Sequence, residues 1–252
     1  MVNGMDKKSI ESTSEYDWCL EDIKKYQSKI DVLVEVGSRD GLDAIKIAKN
    51  INSKQNIIFE ADPNLIQDIE TNIKNYGGNI KFKLLNLALG DEDKEVNFFA
   101  VDQSKYSNKG VGSLYKIDFD NREKKDPDYK RKDVQKIIKL NQNKYTSLNL
   151  PIPDLLLIDV EGAEYEVLKG FDIDLSKIKF IVLESSISKN HVGAKTFINN
   201  HKLLKKHFKL ISNSRHKKNF NLFIDHYKYK LSRNKMYSPA FDLFYVNKSI
   251  NV

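Results

Sequence analysis

At 252 residues with 40% apolar content, the chain can bury one substantial core and is short of what two full domains need. A single cysteine, Cys19, excludes an internal disulfide and any cysteine-built zinc cluster, as expected of a protein in a reducing, cytoplasmic compartment. The net charge of +7 raises the question of a polyanion partner, but the excess is lysine scattered among asparagine and isoleucine, and the densest basic run, Lys124 to Lys132, is broken by Asp126 and Asp128.

The first segment, Met1 to Glu11, is polar and lacks the apolar stretch of a signal peptide, and nowhere do about 18 apolar residues run together as a membrane span requires. Ser14 to Ile30 places Tyr16, Leu20, Ile23, Tyr26 and Ile30 near helical period, with Trp18 beside that face and Ser14 and Asp17 resembling a capping box. Residues 1–30 are therefore expected to form a helical cap. Strand Asp31 to Val36, helix Leu42 to Asn50, strand Asn56 to Phe59, helix Pro63 to Tyr76 and strand Ile80 to Leu85 follow, an alternation that predicts βαβ units and a parallel sheet. A strand over Val96 to Val101 leads into a lysine-rich segment, about Asp102 to Lys144, which reads as an irregular insertion. The alternation resumes with strand Leu155 to Val160, helix Ala163 to Leu168, strand Phe180 to Leu183, helix Ala194 to Phe208 and a closing strand Phe241 to Val246. Residues 31–252 read as one α/β domain, a Rossmann-like, mostly parallel seven-stranded sheet with helices on both faces.

Chemistry concentrates at the predicted strand ends, where open parallel sheets bind ligands. Val32-Leu33-Val34-Glu35-Val36-Gly37-Ser38-Arg39-Asp40-Gly41 is a buried strand running into a glycine turn and then a helix, the arrangement that lets a cofactor meet a helix N-terminus. Glu35 would repel a pyrophosphate and attract an ammonium, so the ligand it predicts is S-adenosyl-L-methionine rather than a dinucleotide. Glu60 stands about 20 residues beyond that loop, where an acid accepts from ribose hydroxyls. Asp62, Asp159, Glu161 and Glu184 add carboxylates at further strand ends.

Glu35-Val36-Gly37-Ser38-Arg39-Asp40-Gly41, Phe59-Glu60-Ala61-Asp62-Pro63, Ala88-Leu89-Gly90-Asp91, Gly112-Ser113-Leu114 and Ile158 to Gly170 together resemble the successive motifs of the FkbM family of methyltransferases. The chain departs at the first loop, where the family more often has Gly-Ala-Asn-x-Gly, and at Thr146 to Leu150, where it more often has Leu-Asp-Asp-Leu. The resemblance implies a class I methyltransferase fold, S-adenosyl-L-methionine as cofactor, and transfer to a hydroxyl oxygen of a sugar or related small molecule. Cofactor contacts are expected from Glu35, Gly37, Ser38, Arg39, Asp40, Gly41, Glu60, Ala61, Asn86, Leu87, Ala88 and Asp159, with Asn86 to Ala88 near the adenine.

By its fold position Asp159 would face the transferring methyl and serve as general base, with Glu184 and His191 as further catalytic candidates; alignment and proton removal are what such a displacement needs. Tyr106, Ser113, Tyr115 and Glu161 are expected to contact the acceptor. Asp159 and Glu184 alone are too few for a metal site, so none is predicted. Glu164 and Glu166 read as helix surface, and His201, His207, His216 and His226 as unpaired surface or packing residues. The reading is a cytoplasmic O-methyltransferase of surface-glycan precursors, nucleotide-linked or lipid-linked, with oligomeric state open and nucleic acid disfavoured. The alternatives are an RNA 2′-O-methyltransferase and a non-catalytic partner protein of the same fold.

Overall fold

The computed structural model describes residues 16–26, 30–106, 108–122, 134–232 and 238–250. In chain order the elements are α1 (Asp17–Tyr26), β1 (Val32–Val36), α2 (Leu42–Ile51), β2 (Gln55–Phe59), α3 (Ile66–Tyr76), β3 (Phe82–Leu85), β4 (Ala88–Leu89), β5 (Lys94–Val101), α4 (Phe119–Arg122), β6 (Gln135–Asn143), β7 (Leu155–Ile158), α5 (Glu164–Gly170), β8 (Phe180–Ser185), α6 (Phe197–Leu204), β9 (Phe208–Asn213), α7 (Phe220–Leu231) and β10 (Phe241–Asn247).

The main sheet has seven strands in the order β3-β2-β1-β7-β8-β10-β9. Five pair in parallel, and β10 runs antiparallel between β8 and β9. Both faces of the sheet are buried, which explains the unbroken apolar runs in its central strands. Leu155 and Leu157 of β7 pack with α1 and α2, while Leu156 and Ile158 pack with α5, α6 and α7 on the other face. The chain leaves β1 in opposite directions to reach β2 and β7, so the carboxyl ends of β1 and β7 flank a topological switch point, the position where such sheets bind ligands.

Several expected boundaries shift. Helix α6 is shorter than Ala194 to Phe208, because Thr196 and Asn199 form a capping box at its start and Phe208 already belongs to β9. Strand β9, not the stretch over Val96 to Val101, completes the main sheet. That stretch lies in β5, which pairs antiparallel with β6 in a second sheet of order β4-β6-β5. The lysine-rich segment is thus less irregular than expected. β6 escapes the sequence pattern because it is only partly buried, so Gln135 to Asn143 shows no long apolar run. Ser14 and the basic run Lys124 to Lys132 lie outside the described residues.

Candidate active site

The cofactor loop is built by backbone proximity. Gly37 has φ +81°, and a methyl at its Cα would stand 1.7 Å from the carbonyl oxygen of Asp159. Its amide donates to the carbonyl of Phe59 (2.9 Å), and the amide of Asp159 donates to Val36 (2.9 Å), so the loop is stitched to β2 and β7 together. A glycine is required here because a neighbouring strand end approaches the chain. Glu60 holds the next residues: Oε2 accepts from the amides of Ser38 (3.1 Å) and Arg39 (2.9 Å), and Oε1 from that of Asp62 (2.8 Å). These bonds leave lone pairs on the carboxylate for a ribose hydroxyl.

A cavity of about 250 Å³ opens at this switch point. Of the residues proposed for the site, Glu35, Gly37, Ser38, Arg39, Glu60, Ala61, Leu87, Ala88, Asp159, Glu161 and Glu184 line it. Asp40, Gly41 and Asn86 do not. Asp40 accepts from the amide of Leu42 at the start of α2, Gly41 packs against Ile69, and Asn86 donates to the carbonyls of Glu60 and Ala61. They shape the loops rather than the cavity wall.

The charge of the cavity opposes that of the protein. Glu35, Asp43, Glu60, Asp62, Asp159, Glu161 and Glu184 line it against Arg39 and Lys109, and Lys109 is paired with Asp68 on α3. Such a chamber focuses negative potential and selects a cationic ligand. Glu35 is buried and accepts from the Ser38 hydroxyl; burial pushes its carboxyl well above the ordinary range despite that bond. Glu60 is raised for the same first reason. A cation beside either carboxyl would favour its charged form.

Three acids of the cavity wall cluster. One oxygen each from Asp159, Glu161 and Glu184 lie within 4.8 Å of one another, close enough to share a divalent cation, a third ligand that the sequence reading did not count. Glu184 is held well above the usual carboxylate range, by loss of solvent first and then by the charges of Asp159 and Glu161. Glu161 occupies the left-handed region at φ +53°, which costs a non-glycine residue about 1–2 kcal/mol. Ser113 pins that turn by donating from Oγ to the Glu161 carbonyl (2.8 Å). Glu164, expected on the surface, is instead buried and accepts from the amide of Gly162 (2.8 Å), closing the start of α5. Burial pushes its carboxyl up to about 7.

His191 sits in a small recess that shares Glu161 and Glu184 with the main cavity. Its Nε2 stands 3.9 Å from Glu161 Oε2, its ring packs against Gly162, and its backbone bridges Ile117. Of the expected acceptor contacts, Tyr106, Ser113 and Tyr115 do not line the cavity. Tyr106 packs against a satellite core, Ser113 is spent on Glu161, and the Tyr115 ring abuts Gly193. Asn108, Lys109, Gly110, Gly112 and Leu114 take that place, because the short 3₁₀ turn at Lys109–Val111 folds over Arg39. Tyr16, read only as an apolar helix position, also reaches the cavity wall, and nothing in its helical spacing distinguishes it from a core residue. Away from the site, His216 is paired with Asp225 at 2.7 Å, contrary to the expectation that it is unpaired.

The sequence from residue 35 to 223 matches the model of the methyltransferase FkbM domain. The chain belongs to the FkbM methyltransferase family. As a member of the FkbM family it uses S-adenosyl-L-methionine, and the acid-lined chamber suits that cationic cofactor. The fold is similar to the FkbM methyltransferase of Methylobacillus flagellatus KT, with TM-score 0.51 and 11% identity over 86% of this chain and 44% of that one. This FkbM chain thus spans less than half the length of that solved structure. Weaker similarity extends to a precorrin-6y C5,15-methyltransferase of Geobacter metallireducens GS-15 (TM-score 0.46, 12% identity, 96% and 93% covered). It extends also to a candidate tRNA (m1A22) methyltransferase of Streptococcus pneumoniae in complex with S-adenosyl-L-methionine (TM-score 0.45, 10% identity, 94% and 75% covered). No curated protein matches the sequence.

Proposed function

We propose that the protein methylates a hydroxyl oxygen of a sugar, carried on a nucleotide or a lipid as a precursor of a surface glycan. The observation that carries this reading is the cluster of Asp159, Glu161 and Glu184 in the wall of a cavity that the glycine loop also lines. S-adenosyl-L-methionine supplies an electrophilic methyl on a sulfonium. Glu35 offers charge to its ammonium, Glu60 offers an acceptor to its ribose, and the wall at Leu87 and Ala88 offers an uncharged surface to its adenine.

An acceptor hydroxyl needs alignment and a base, and the acid cluster provides both. Asp159 takes the hydroxyl proton, and Glu184, whose affinity for a proton is raised by burial and neighbouring charge, hydrogen-bonds a second oxygen of the acceptor. Glu161 and His191 close the far side of the recess. A polyol satisfies several carboxyl groups at once, which favours a sugar over an apolar alcohol. Any phosphate of the acceptor stays outside the acid-lined chamber, where Lys109 stands at the rim.

The test is incubation of the purified protein with labelled S-adenosyl-L-methionine and a panel of nucleotide sugars and lipid-linked saccharides, read by mass spectrometry. A methyl ether on a sugar is the expected product. Absence of any sugar product, together with salt-dependent micromolar RNA binding on filters, would overturn the reading in favour of RNA 2′-O-methylation. Absence of S-adenosylhomocysteine binding by calorimetry would instead favour a non-catalytic partner protein.

A further inference from the structure

Helix α7 has two apolar faces, and the described protein covers only one. On the inner face, Leu222 is fully buried in the main core, and Phe223 and Tyr229 pack against it. Phe223 also meets Phe197 of α6 edge-on at 5.1 Å between ring centres. Across the helix from Leu222 and Tyr229, Phe220, Tyr227 and Leu231 remain 70%, 63% and 64% exposed, half of the large exposed apolar side chains among the described residues. At 3.6 residues per turn these three fall within an arc of about 40°. Scattered exposed apolar residues are normal in a folded protein, but an aligned stripe on one helix marks a contact surface.

The flanks of the stripe carry one sign of charge. Lys228 and Lys230 lie about 80° to either side of its centre at helical spacing, and Lys217 and Lys218 precede the helix. On the Lys230 side stands Lys202 of α6; both lysines act on His226, lowering its pKa after burial does. Asp225, the acid within the helix, is turned toward His216 and Arg215. None of Lys217, Lys218, Lys228 and Lys230 is ion-paired among the described residues.

We propose that α7 is an interfacial anchor that lays Phe220, Tyr227 and Leu231 into the headgroup region of an anionic lipid bilayer, with the flanking lysines reaching the lipid phosphates. Aromatic and leucine side chains on one face and lysines beside them are the composition of helices that lie in a membrane surface. The lysine stems extend along the apolar stripe while their ammonium groups stay in the polar layer. A second copy of the chain fits poorly, because a two-fold pairing of α7 would bring two unpaired lysine rows together. Docking there would hold the acceptor recess near the bilayer, since Tyr229 takes a backbone hydrogen bond from Lys189 on the loop that carries His191.

The test is co-sedimentation of the full chain with vesicles of phosphatidylcholine alone and with about 30% phosphatidylglycerol. Binding is expected only to the anionic vesicles and is expected to weaken in about 0.5 M salt. The triple variant F220S/Y227S/L231S and the double variant K228E/K230E should each reduce it at least about tenfold. All these positions are exposed, and circular dichroism checks that both variants keep the fold. Failure of the wild-type chain to bind anionic vesicles would overturn the proposal. So would vesicle binding that the triple variant leaves intact, or a dimer by light scattering that the triple variant dissolves.

Discussion

Replacing Gly37 by alanine asks whether the cofactor loop is held by strand proximity. Gly37 and Gly78 both have positive φ, +81° and +62°, so alanine at either site carries a left-handed backbone cost of about 1–2 kcal/mol. At Gly78 the added methyl meets nothing within 4 Å, whereas at Gly37 it lands 1.7 Å from the Asp159 carbonyl oxygen. Relief requires β1 and β7 to part at their carboxyl ends, which strains the hydrogen bond from the Asp159 amide to Val36 and the one from Gly37 to Phe59. Each buried group left without its partner costs about 1–3 kcal/mol. Gly37→Ala should therefore destabilise by about 3–8 kcal/mol, against about 1–2 for Gly78→Ala. For a chain of this size that is a fall of roughly 10–20 °C in melting temperature, against roughly 5 °C for the control. Differential scanning fluorimetry of both variants decides it, and equal melting temperatures would refute the account of why a glycine stands at position 37.

Three further outcomes follow from the site. Glu35→Gln should weaken S-adenosylhomocysteine binding at least about tenfold by calorimetry, and wild-type affinity should rise with pH, because burial raises the Glu35 carboxyl and the cationic ligand favours its charged form; an unchanged affinity would remove Glu35 from the binding account. Asp159→Asn should leave that affinity within about fivefold while turnover falls about a hundredfold or more, and a parallel loss of both would refute the base role. Glu164 has its carboxyl raised to about 7 in the fold, so the folded state binds the extra proton and its contribution declines as pH rises from about 4.5 to about 7. Glu164→Gln should therefore gain up to about 3 kcal/mol over wild type in urea unfolding at pH 8 and much less at pH 5. A gain independent of pH would contradict the buried-acid assignment.

The parallel core was legible because its physics is local and repeated. Strands β1, β7 and β8 are buried on both faces, so Leu33, Leu157 and Val182 sit in apolar runs that read as strands without any knowledge of their neighbours. The glycine loop and the strand-end acids Glu35, Glu60, Asp159 and Glu184 were readable for a related reason: each follows such a run directly, and the carboxyl end of a parallel strand is where ligands meet the sheet. Strand β6 and helix α7 were not readable in the same way. β6 is only partly buried and exists by pairing with β5, and α7 is apolar on two faces, which blurs the single-faced period of an ordinary surface helix.

What the amino-acid order determined by itself was the kind of fold, the cofactor class and the acids at the strand ends, since apolar periodicity, a glycine turn and a carboxylate at a strand end act within a few residues. Tertiary structure alone decided which of these groups meet. It brings Asp159, Glu161 and Glu184 together from two strand ends, buries Glu164 beneath Gly162, and folds Lys109 rather than Tyr106 over the cavity. It also sets Gly37 of the loop after β1 against the carboxyl end of β7. These outcomes depend on distances between segments far apart in the chain, which are set by how the two sheets and their helices pack and leave no mark in local spacing.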